Sequence, residues 1–256
     1  TEIYTLSLHD TLPIYFKEWA RLMKTATDSY PALTIAYSGS SILKLSTGQA
    51  DLSRRQTVYD LKGLSFREFL AYEGVAAFPA LTLDDVLSNH RRIAADVCAK
   101  TKILPLFGRY LKEGYYPFYK DSPGHFADKL GEVVNTVLNV DLPAIEGITP
   151  PTVRKARKML MVLARSCPQQ PNMSALYREL ETDRNMGIRL LEALERAELL
   201  AAVDQGPGNK LKHLSRPSKL FLGDANLMHA LVPSANPGAV RETFFANQLR
   251  AAGHEV

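Results

Sequence analysis

Tyr37-Ser38-Gly39-Ser40-Ser41-Ile42-Leu43, Ala50-Asp51-Leu52-Ser53-Arg54-Arg55 and Leu64-Ser65-Phe66-Arg67-Glu68-Phe69 follow one another along the first third of the chain. The apolar run from Leu33 to Ala36 predicts a short buried strand, Leu33 to Tyr37, that ends at the small hydroxyl residues Ser38, Ser40 and Ser41. Gly48 breaks the segment leading to the paired arginines. Thr57-Val58-Tyr59-Asp60-Leu61 is β-branched and aromatic, which predicts a second strand. Ser65 with Glu68 three residues on forms a capping box, so a helix starts there. Upstream, Phe16, Trp19, Ala20, Leu22 and Met23 recur at helical spacing, and Pro31 ends that helix by driving the residue before it out of the α region. Helices alternating with strands are the pattern of an α/β core.

A hydroxyl at a strand tip can orient an attacking water or touch a terminal phosphate, which makes Ser38, Ser40 and Ser41 candidates; serines there also cap helices. Arg54 and Arg55 are always charged and planar, suited to stabilising charge that develops in phosphoryl transfer; the plainer use is an ion pair with Asp51 or Asp60. In these blocks the chain resembles a prokaryotic AAA-like ATPase family, and the likeness runs from Tyr15 to Val256. The resemblance implies a mixed α/β and mainly α architecture. Residues 15–70 would be the remnant of the AAA core, 71–150 a helical lid, 151–222 a winged helix and 223–256 the start of a nuclease-like domain. It further implies catalytic roles for Ser38, Ser40, Arg54 and Arg55, a nucleotide contact for Ser41, ATP and Mg as cofactors of the intact protein, and a homo-oligomeric state for it.

The phosphate-binding half of such a core is not found. A Walker A loop needs Gly-x-x-x-x-Gly-Lys-Ser/Thr, so that backbone N–H groups cradle phosphates and the lysine reaches them, and no Gly-Lys pair occurs. Ala80-Leu81-Thr82-Leu83-Asp84-Asp85 imitates a Walker B strand, but Thr82 with Asp85 reads better as a helix N-cap. By itself the chain is expected neither to bind nor to hydrolyse ATP and to need no cofactor or metal. Residues 1–14, Thr1 to Ile14, resemble the translation of a sequencing adapter with Thr11 in place of alanine, although Tyr4, Leu6 and Leu8 alternate as a strand would.

Composition limits the remaining classes. The chain has 46% hydrophobic and 23% charged residues and no long uncharged apolar run, so no membrane span is expected and a cytoplasmic setting is the default. Cys98 and Cys167 form no Cys-x-x-Cys or Cys/His cluster, so neither disulfide nor zinc is indicated. Between Thr152 and Leu222 stand thirteen Lys/Arg against seven acids, net +6, while the remainder of the chain carries −2. A basic module of this kind suits a nucleic-acid partner, and equally a set of solvated basic helices.

Residues 82 to 119 read as helix in two pieces broken at Pro105 and ending in the aromatic cluster Tyr115-Tyr116-Pro117-Phe118-Tyr119, which suits a buried core better than base stacking. His125 to Ile145 reads as an amphipathic helix with Phe126, Leu130, Val133, Val134 and Leu138 on one side, and Pro143, Pro150 and Pro151 mark a boundary. Val153–Ser166, Asn172–Glu181 and a helix from Arg184 carrying Leu190, Leu191 and Leu194 inward precede a hairpin, Leu199–Val203 and Ser218–Leu222. Three helices and a two-stranded wing predict a winged helix. Arg184, Asn185 and Arg189, opposite Leu190 and Leu194, are its candidate DNA contacts. Glu242, an acid on the nuclease-like start, is expected to be a solvated or paired glutamate, since metal ligation needs several converging oxygens. Beside the ATPase fragment, the alternatives are a DNA-binding winged-helix module and a protein-interaction scaffold.

Overall fold

The structure, a computed structural model, describes residues 19–36, 52, 54–57, 59–75, 77–143, 148–165, 171–203, 214 and 217–254. Among them the chain is mainly helical. The helices are α1 (Trp19–Ser29), α2 (Phe66–Tyr72), α3 (Leu83–Lys100), α4 (Ile103–Arg109), α5 (Phe126–Thr136), α6 (Pro150–Arg165), α7 (Met173–Glu179), α8 (Arg184–Arg196), α9 (Ala225–Leu231) and α10 (Pro237–Ala251). Two strands, β1 (Leu200–Val203) and β2 (Lys219–Leu222), pair antiparallel with Leu200 opposite Leu222 and Val203 opposite Lys219.

The α/β expectation for the N-terminal part is corrected. Leu33 to Ala36 form no strand, and neither do Thr57, Tyr59, Asp60 and Leu61. A strand must give its backbone N–H and C=O groups to a neighbour. Neither segment has a neighbouring strand among the described residues, and Tyr59 and Leu61 stand 87% and 95% exposed. β-Branched content alone does not make a strand where no sheet receives it.

Local chemistry sets the helix starts. The Ser65 hydroxyl accepts from the Glu68 N–H while the Glu68 carboxylate accepts from the Ser65 N–H, and Thr82 and Asp85 repeat this reciprocal box. Ala80–Asp85 is therefore a helix entry rather than an acidic strand. Pro105 does not break the helix. It lies in the first turn of α4, where its missing N–H would have no partner, and the break falls at Thr101–Lys102. α4 and α5 each run on into a π-turn, Tyr110–Gly114 and Val137–Asp141. Val133, expected on the buried side of α5, is exposed, whereas Phe126, Leu130, Val134 and Leu138 are buried.

One apolar core runs from Phe69 and Tyr110 through Leu130, Leu138, Met159, Leu190 and Leu194 to Leu227 and Val240. It continues past Pro150 and Leu222 without dividing. The hairpin lies between two layers. Leu200, Ala202, Leu220 and Leu222 face this core, while Ala201 and Phe221 pack with Ala246 of α10. A second, small core joins Trp19, Ala20 and Leu52, with Met23 against it. No helix of the described residues is long and apolar enough to cross a membrane.

Candidate nucleic-acid interface

α7 and α8 meet at a tight turn. Asn172 caps α7 by accepting from the Ala175 N–H at 3.0 Å, and Asp183 caps α8 by accepting from the Met186 N–H at 3.0 Å. The Met186 N–H holds the Asp183 carboxyl below its ordinary range, with the Asn185 amide adding to this. Between them Glu181 takes a left-handed φ of 50°. Lys155 and Lys158 of α6 donate to the carbonyls of Glu181 and Glu179, satisfying the C-terminal end of α7. These two lysines are thus occupied within the fold, as is Arg157, which donates to Asn135.

Gly187 fixes how closely the two helices approach, since a Cβ there would lie 2.3 Å from the Tyr177 ring. Gly187, Leu190, Leu191, Ala193 and Leu194 form the buried side of α8. The opposite side presents Asn185, Arg189, Glu192 and Arg196 at spacings of four, three and four residues, with Arg184 at the first turn, all exposed. The structure therefore brings Arg184, Asn185 and Arg189 together on one accessible helix face. An asparagine side chain can bond an adenine edge, and the arginines suit guanine or phosphate.

The other expected site falls largely outside the described residues. Ser38, Ser40 and Ser41 lie outside them, as does Asp51. Arg55 donates to Asp28 at 2.6 Å, an acid not named from the sequence, and Asp60 pairs with Lys62. Arg54 is exposed. Glu242 pairs with Lys219 at 2.6 Å, the paired role expected of it.

A cleft of about 260 Å³, missed from the sequence, opens between Lys62, Tyr115, Tyr116, Glu198, Asp224 and Asn247. Glu198 follows α8 with a φ of 57°, and its backbone oxygen would be 1.9 Å from a Cβ on Gly223. Its carboxylate pairs with Lys62, which also meets Asp60 at 2.6 Å. Burial acts to lower Lys62, but the bonds to Asp60 and Glu198 outweigh it and hold the ammonium above its ordinary value. Asp224 is buried at the head of α9, accepts from the Tyr116 hydroxyl at 2.6 Å and caps α9 through the Leu227 N–H at 3.1 Å. Burial pushes its carboxyl up to about 6, against those hydrogen bonds. Lys62, Glu198 and Asp224 are engaged with one another or with the fold, so the cleft is built as a clasp. Among the described residues no three His, Cys, Asp or Glu side chains converge as metal ligands.

A family model described as a domain of unknown function, DUF8612, matches residues 105–237. That span contains α8 with Arg184, Asn185 and Arg189, together with Tyr116, Glu198 and Asp224. Over 212 residues, 78% of this chain, the sequence is 26% identical to the uncharacterized protein MJ1637 of Methanocaldococcus jannaschii. The chain spans 44% of that relative's length. No solved structure matches.

Proposed function

The chain belongs to the DUF8612 family, and we propose that it is the lid and winged-helix portion of an AAA-like ATPase, engaging duplex DNA through α8. α6, α7 and α8 are the three helices, β1 and β2 the wing, and α3 to α5 the lid. In the intact protein Ser38, Ser40, Ser41, Arg54 and Arg55 would serve ATP and Mg, in a homo-oligomer and a cytoplasmic setting. The observation that carries the proposal is the exposed face of α8, where Asn185 and Arg189 stand one helical turn apart beside the helix start. Helix starts of this kind meet base edges and phosphates in helix-turn-helix proteins.

The test is a titration of labelled duplex DNA at several salt concentrations. Binding should weaken as salt rises, because displaced counterions return to the phosphates. Arg189→Ala should cost about 1–3 kcal/mol if it reads a base, or lower the salt slope by about one if it holds a phosphate. No binding at low salt would sink the DNA reading.

A second reading, an interaction scaffold, is favoured by Glu192, which interrupts the basic stripe between Arg189 and Arg196. It predicts a protein partner for the same face. In that case Glu192→Lys would abolish partner binding, whereas it would strengthen DNA binding.

A further inference from the structure

α3 is an eighteen-residue helix with no buried residue. Its Thr82–Asp85 box fixes the start, and yet Leu83, Leu87 and Val86 remain 72%, 67% and 41% exposed. An isolated helix of this length is marginal in water, and most helical stability comes from covering an apolar face. The uncovered face is regular. Leu83, Leu87, His90 and Ala94, all exposed, and the half-buried Val97 recur at spacings of four, three, four and three, the seam of a coiled coil.

We propose that this seam pairs with the α3 of a second copy of the chain, antiparallel, in a two-fold symmetric dimer. Charge decides the occupant and its direction. Asp84 and Arg91 stand one heptad apart on one flank of the seam, and Val86 and Ile93 stand one heptad apart on the other. In an antiparallel pair like flanks meet. Asp84 of each copy then faces Arg91 of the other, and Val86 faces Ile93, so the helix complements itself as an isologous interface requires. A parallel pair would set the charged flank against the apolar one, leaving Asp84 and Arg91 against Val86 and Ile93.

Sedimentation velocity of the full chain across a dilution series tests this. The expected result is a monomer–dimer equilibrium. Asp84→Arg and Arg91→Asp, each creating like-charge contacts twice over, should each weaken the dimer by roughly tenfold. The double variant D84R/R91D should restore it. Circular dichroism confirms that the single variants remain folded, because Asp85, not Asp84, closes the capping box. A chain that is monomeric at every concentration overturns the proposal. So does a double variant as weak as either single one, because the antiparallel register requires the rescue.

Discussion

Asp224 shows how a single carboxyl couples burial to pH. Burial raises it from the ordinary 3.8 to about 6, so the folded state holds a proton that the unfolded chain releases. Its contribution to stability is therefore complete below pH 3.8 and is lost as pH rises through about 6. The size is on the order of 3 kcal/mol. Asp224→Asn keeps an acceptor for the Leu227 N–H and cannot ionise. Urea unfolding of both proteins between those pH values should show the variant gaining stability relative to the parent as pH rises. Parallel curves would refute the assignment, and the comparison cancels the acid groups held low elsewhere, Glu68 and Asp183 among them. Nothing in the sequence announced this group beyond the Asp-x-x-Leu pattern of an N-cap, because Tyr116 lies 108 positions away.

Among the elements, the helices and the β1–β2 hairpin were legible in the sequence, whereas the two strands expected near the N-terminal end did not form. Ser65, Thr82, Asn172 and Asp183 all cap helices, since a cap depends only on residues two or three positions away. The strands expected at Leu33 and Thr57 depended on distant neighbours that composition cannot supply. The π-turn at Tyr110–Gly114 was likewise hidden. The Asn226 side chain serves it, donating to the Tyr110 and Leu111 carbonyls at 3.0 and 2.9 Å and accepting from the Tyr115 N–H at 2.8 Å. The α7–α8 crossing belongs here too. Gly187→Ala would improve helix propensity by about 1 kcal/mol in isolation, but the added methyl meets the Tyr177 ring, and overpacking costs about 1–3 kcal/mol. Denaturant unfolding should show net destabilisation. A more stable Gly187→Ala protein would show that the crossing is looser than its distances imply.

Among the described residues the segment from Asp60 to Leu64, which follows the small core along the chain, is anchored on the large one. The Leu64 N–H donates to the Tyr115 carbonyl at 2.8 Å, Tyr110 donates to the Leu64 carbonyl at 2.7 Å, and Lys62 grips Glu198 at the end of α8. The small core buries only Trp19, Ala20 and Leu52 among the described residues, little apolar area to oppose chain entropy. The large core is continuous from α2 to α10 and should unfold as one unit. The sequence supplies a convenient reporter, because Trp19 is its one tryptophan and lies in the small core. Tryptophan fluorescence should therefore report loss of the small core at lower urea than the far-ultraviolet dichroism, which follows the helices of the large one. Lys62→Ala removes the grip on Glu198. With both side chains partly exposed, its cost to the large core should stay within about 1 kcal/mol. Coincident transitions in both proteins would show instead that the two cores fold as one.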